Sequence, residues 1–160
     1  MFIESKLRKP KIIILFILLV AAGVVLILYR INRIPTGVYQ TQTIKIASQQ
    51  IEIYVADTPA KKETGLAAFD QISENQGMIF SFDDATVRTF WMKNMKFAID
   101  IIWIRDDKII GIDENIELET NKPDNQLTRY SSVEPSDSVI EVNAGWCQRN
   151  NIAVGDKISF

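Results

Sequence analysis

Residues 12–29 read IIILFILLVAAGVVLILY, eighteen positions without a charge. A helix of that length spans about 27 Å, close to the hydrocarbon thickness of a bilayer. It has no polar face, so a buried helix of a soluble protein fits it poorly. Gly23 is tolerated in a membrane helix. The rival is a cleaved signal peptide, whose apolar region is usually about 7–15 residues and ends in a small-x-small site. Here the run ends at Tyr29-Arg30-Ile31 with no Ala-x-Ala. An uncleaved signal anchor is therefore expected. Lys6, Arg8, Lys9 and Lys11 precede the run, and Arg30 and Arg33 follow it. The positive-inside bias places the amino terminus in the cytoplasm and the rest of the chain outside, at the cell envelope. The expected organisation is a basic cytoplasmic segment over 1–11, a single membrane span over 12–29, a linker over 30–42 rich in Pro, Gly and polar residues, and an extracytoplasmic domain over 43–160.

The formal net charge of −2 hides two unlike parts. Residues 1–35 carry six bases and one acid, while 36–160 carry 12 bases and 19 acids, a balance of −7. That acidic part argues against nucleic acid as a partner, because affinity for it comes from Lys and Arg on phosphates. The chain has no His, which excludes His-based triads and His-ligated metals, and a single Cys, which excludes an intrachain disulfide. There is no P-loop and no G-x-G-x-x-G, so no cofactor is expected.

The outer part reads as strand-like. TIKIA (43–47) and IEIYVA (51–56) alternate apolar and polar residues, with a turn at 48–50. Thr58-Pro59 predicts an N-cap and a short helix over 59–66. Further strands are expected at 78–82, 88–92, 100–105, 108–117, 138–143 and 157–160, with one or two helical turns over 144–151. The long connection 118–137, rich in Asp, Asn, Pro and Ser, is of a length that is often functional or flexible. The fold class this predicts is mainly β, a compact barrel or jelly-roll-like sandwich with one or two short helices.

Several words then occur in order: GL at 65–66, GMIF at 77–80, FWMKNM at 90–95, IDIIWI at 99–104, E-x-N-A-G at 141–145 and VGD at 154–156. This series resembles the uncharacterised prokaryotic family known as domain of unknown function 192, over residues 43–160. FWMKN followed by Asp100 is its most specific part. The resemblance implies a compact β-rich domain with a barrel-like or jelly-roll core, in many members preceded by a signal or anchor, and no agreed activity. The chain departs from the family's pattern at Ala67, Phe69, Met95 and Ala98. Any site that used a polar side chain at position 69 is absent here.

Strand parity picks out the chemistry-bearing residues. Asp100 shares a face with Ile102 and Ile104, Glu114 with Ile110, Ile112 and Ile116, and Glu141 with Val139 and Asn143. A carboxylate embedded in apolar strands must be paired, hydrogen-bonded or protonated. One reading converges Lys93, Asn94, Asp100, Glu141 and Asn143 on a polar pocket rimmed by Trp91 and Trp146, suited to a small polar ligand, a glycan or a peptide end. The other makes Lys93–Asp100 or Lys93–Glu141 an internal ion pair that fixes register without a ligand. Acidic pairs such as Asp106-Asp107 lack metal-site spacing and belong to solvated turns, so no metal is expected. Cys147, with no His to activate it, reads as a small buried apolar residue. Trp91, Trp103, Trp146, Phe90 and Phe97 could form a sugar-stacking platform, but spread over several strands they are more often core.

The expected function is a non-enzymatic module binding a ligand or an envelope protein. One alternative is a carboxylate-dependent hydrolase or lyase acting on an envelope glycan, with two carboxylates as acid and base. The other is a structural accessory to a second membrane protein.

Overall fold

The computed structural model describes residues 38–160, together with Val20 and Gly23. The predicted span 12–29 otherwise lies outside the described residues, and among these no helix is long and apolar enough to cross a membrane. Tyr39–Phe160 forms one compact unit.

Its strands are β1 (Thr41–Ile46), β2 (Gln49–Val55), β3 (Gln76–Thr86), β4 (Thr89–Phe90), β5 (Ile99–Arg105), β6 (Lys108–Ile116), β7 (Tyr130–Ser131), β8 (Ser136–Asn143) and β9 (Ile158–Ser159). Two short helices, α1 (Pro59–Thr64) and α2 (Trp146–Arg149), and 3₁₀ turns at Gly65–Ala68 and Asp124–Gln126 complete it. Seven strands form one sheet in the order β6-β5-β8-β3-β2-β1-β9, and β4 pairs with β7 apart from it. The sheet curls as a half-barrel. Its two edges meet through a bridge between Lys108 and Lys157, with Ile109 donating its N–H to Asp156 O at 2.9 Å. The mainly β class is as the sequence predicts.

Alternation along each strand divides the apolar residues into two clusters, one per face of the sheet. Ile44, Ile46, Ile53, Ile79, Ile102, Ile104, Ile140 and Val142 fill the inner face with Trp146 and Cys147. Leu66, Met78, Phe80, Ile99, Ile101, Trp103 and Val139 form the outer cluster. β5 is buried on both faces, which explains its nearly unbroken apolar sequence.

β2 and β3 run parallel, so the chain between them must cross over the sheet. That crossover is α1 and its 3₁₀ turn. Thr58 caps α1 by accepting from Lys61 N at 3.3 Å, and Pro59 opens it, as predicted. Leu66 is then buried in the outer cluster, which fixes the crossover over the outer face; that burial stabilises by about 2 kcal/mol.

Three expectations are corrected. The first hairpin turns at Ala47–Ser48, not 48–50, because Ala47 takes a positive φ of 52° and pairing resumes at Gln49. The strand predicted over 88–92 is only Thr89–Phe90, since the chain turns at Asn94 with φ 58°. Within 118–137, Glu119 accepts from Thr128 N and Thr128 Oγ1, both at 2.8 Å, and pairs with Lys122 at 2.7 Å. Glu114 is exposed, not embedded. The ladder shifts between Ile99 and Ile101, where Ile99 opposes Ile116 but Ile101 opposes Asp113, and this bulge at Asn115 breaks the parity of β6.

Candidate functional site

The 3₁₀ turn after α1, the outer face of β3 and β8, and the segment 89–95 line an open cavity of about 370 Å³. Phe80 and Phe82 from β3, Phe90 and Trp91, Leu66 and Met95 form its apolar walls. Lys62, Glu63 and Lys93 stand among its lining residues, as does Glu141.

Glu141 is only 4 % exposed. Strand parity puts it on the outer face, between Met78 of β3 and Ile101 of β5. Its Oε2 accepts one long hydrogen bond, from Leu66 N at 3.4 Å. Among the described residues Oε1 accepts none. Burial pushes the carboxyl up to about 7, and the Leu66 N–H only partly offsets this. Near neutral pH it is therefore part acid and part carboxylate. Gly65 lets the turn pass close over it: a Cβ there would lie 3.4 Å from Oε2 and from Phe80 Cζ, at a φ of 55°.

Cations cluster around the wall aromatics. Lys62 Nζ sits 4.6 Å from the Phe82 ring centroid and donates to Ser81 O. The Arg88 guanidinium lies 3.9 Å from the same ring. Trp91 carries Arg129 at 3.8 Å and Lys93 at 5.1 Å. Lys93 is also paired with Asp124 at 2.6 Å. That pair stands beside a smaller polar cavity of about 230 Å³ lined by Asn94, Glu119, Thr120 and Lys122.

Of the residues picked out by sequence, the structure brings Lys93, Trp91 and Glu141 to one cavity. Asn94 is exposed and lines the smaller one, where its positive φ makes the turn. Asn143 shares the outer face with Glu141, but its Nδ2 donates to Ser73 O at 2.9 Å and holds that loop. Asp100 and Trp146 are on the inner face. Asp100 is fully buried and accepts from Asn115 N at 2.8 Å, Gly145 N at 2.9 Å and Cys147 N at 3.0 Å. It ties the start of α2 to the bulge in β6 and pairs with no lysine. Trp146 is buried among inner-face isoleucines, so it rims no pocket, and its Nε1 has no partner among the described residues. Lys93 pairs with neither Asp100, which lies on the inner face, nor Glu141; Asp124 takes its ammonium. Cys147 is free and buried, as predicted, with its pKa raised first by burial and then by the Asp100 carboxylate.

Sequence reasoning missed Lys62, Phe80, Phe82 and the Gly65-Leu66 turn as parts of the site. The one available signal was GL at 65–66, which marks a tight turn after a helix but does not say which strand it covers.

Fold and site together define a small curled β domain with a buried carboxyl in an aromatic-walled cavity on its outer face. The chain belongs to the DUF192 family, described as an uncharacterized ACR, whose model matches residues 41–160. Two solved structures are similar. One is a protein from Sinorhizobium meliloti 1021 described as a candidate transcription regulator, 26% identical, with a TM-score of 0.69 over 77% of this chain and 95% of that one. The other is a protein of unknown function from Novosphingobium aromaticivorans DSM 12444, also 26% identical, with a TM-score of 0.68 over 79% of this chain and 89% of that one. No curated protein matches the chain.

Proposed function

We propose that this protein is a membrane-tethered, extracytoplasmic binding module that holds a small ligand in the Glu141 cavity. One observation carries the binding role: a nearly fully buried carboxyl, one of whose oxygens accepts no hydrogen bond among the described residues, opens into an apolar-walled cavity of about 370 Å³. Such convergence of an apolar cavity with a polar group of perturbed pKa is the usual form of a ligand site. The tether and its orientation rest on the uncharged run 12–29 and the bases before it.

A glycan hydrolase built on paired acids finds less support. Asp100 and Glu141 face opposite sides of the sheet, so they do not form the acid–base pair such chemistry needs. The regulator description belongs to the Sinorhizobium protein, and the balance of 12 bases and 19 acids over 36–160 offers little attraction to nucleic acid.

The test is to purify the full chain in detergent and extract small molecules, for wild type and for Thr64→Trp, which fills the cavity mouth from α1. A compound present with wild type and depleted with the variant supports the reading. Equal recovery from both, or none from either, overturns it. Protease accessibility of residues 43–160 in intact cells and in inverted vesicles tests the orientation: protection in intact cells would overturn the extracytoplasmic placement.

A further inference from the structure

The aromatic walls and buried acid of the cavity would by themselves suit an organic cation. Three features of the site favour the opposite charge. First, Phe82 already carries Lys62 and Arg88, and Trp91 already carries Lys93 and Arg129. A cationic ligand would have to compete with these four for the ring faces, although Arg88 and Lys93 are themselves paired with Asp84 and Asp124. Second, Lys62 and Arg129 have no carboxylate partner among the described residues; Lys62 donates to Ser81 O and Arg129 to Asp124 O. At the mouth the lining cations Lys62 and Lys93 outnumber Glu63, the acid beside them. Third, the floor presents donors rather than a fixed negative charge. The Leu66 N–H spends only a 3.4 Å bond on Glu141, and the Glu141 carboxyl carries a proton for part of the time near neutrality.

Resting on the cavity as the binding site, we propose that its ligand is a small organic carboxylate with an apolar body. The carboxylate accepts from the Glu141 O–H and the Leu66 N–H at the floor, and the body packs against Phe80 and Phe90. Lys62 and Lys93 at the mouth attract the anion and lower the cost of burying it. The charged groups that share the cavity with Glu141 are Lys62 and Glu63 from α1 and Lys93 from the segment after β4. An ionised Glu141 would repel the ligand, so binding draws a proton onto it.

The experiment is calorimetric titration of the full chain in non-ionic detergent with benzoate, benzamide and benzylammonium, at pH 6 and pH 8. Benzoate and benzylammonium stay ionised at both. Benzoate is expected to bind best, and about tenfold more weakly at pH 8 than at pH 6, following the protonated fraction of a group titrating at about 7. Glu141→Gln keeps a neutral donor, so it should retain benzoate binding and lose the pH dependence. Lys62→Gln should weaken benzoate several-fold and leave benzamide unchanged. Preferential binding of benzylammonium or benzamide would overturn the carboxylate and leave the cavity reading standing. So would benzoate binding indifferent to both pH and Glu141→Gln. No binding by any of the three also overturns the carboxylate proposal, and the extraction from wild type and Thr64→Trp then decides separately whether the cavity holds a ligand.

Discussion

Asp100 and Glu141 lie one residue out of register across the β5–β8 ladder: Asp100 opposes Val142, and Glu141 opposes Ile101. Because side chains alternate along each strand, that single step sends the two carboxyls to opposite faces of the sheet. On the inner face Asp100 meets three backbone N–H donors. On the outer face Glu141 meets one long bond and a cavity. A carboxyl is thus held by backbone donors on one side of the sheet and opens into a cavity on the other.

Glu141 makes stability pH-dependent. Its pKa is about 7 in the folded protein against 4.5 as the ordinary value. The folded state therefore binds more protons than the unfolded state between those values, and stability falls as pH rises through that window. The full effect is about 3 kcal/mol. Urea unfolding at pH 5 and pH 8 should show this fall in wild type and not in Glu141→Gln, which should be the more stable of the two at pH 8. An equal fall in both proteins would remove Glu141 as the cause.

Asp100→Ala leaves three backbone donors at the α2 start and the β6 bulge without their acceptor. A loss of about 3–5 kcal/mol is expected, enough to prevent folding of a marginal domain. Asp100→Asn keeps one acceptor oxygen and should cost about 2 kcal/mol. Denaturation midpoints check both. A loss below about 1 kcal/mol for Asp100→Ala would contradict its role as anchor.

Lys93→Met breaks a pair whose side chains are 35% and 58% exposed. Such a pair contributes less than about 1 kcal/mol. The variant should fold with nearly the wild-type midpoint, in contrast to Asp100→Ala. Unfolding of Lys93→Met would contradict the small contribution assigned to this pair.

Gly77 stands where β3 runs between β2 and β8. A Cβ there would come within 2.6 Å of Glu141 O and 2.9 Å of Val142 Cγ1. Gly77→Ala must push β8 away, at a cost of about 2–3 kcal/mol. It should also disturb the Glu141 titration, since the contact is with that residue's own carbonyl. An unchanged midpoint and an unchanged pH dependence would refute the close approach.

Cys147 should resist thiol reagents in the folded protein and react fully once denaturant is added. Burial and the nearby Asp100 carboxylate both disfavour its thiolate. Rapid labelling of the native protein at pH 8, timed by absorbance, would contradict its burial.

Much of the domain was legible from local pattern. The alternation of TIKIA and IEIYVA, the Thr58-Pro59 start of α1 and the apolar run of β5 each specify an element by a rule that acts within a few residues. Parity also showed that Asp100 and Glu141 were embedded. It failed at Glu114, because the bulge at Asn115 shifts the count by one and nothing local announces it.

The sequence by itself determined the β class, the family words from Gly65 to Asp156, and the acids and bases available for chemistry. It could not determine which of those groups meet. That depends on the register between β5 and β8, on the crossover that lays Gly65 and Leu66 over Glu141, and on the capture of Lys93 by Asp124 from a distant loop. These are contacts between segments far apart in the chain. A one-residue change of register between β5 and β8 would bring Asp100 and Glu141 onto the same face without altering a single letter of either strand.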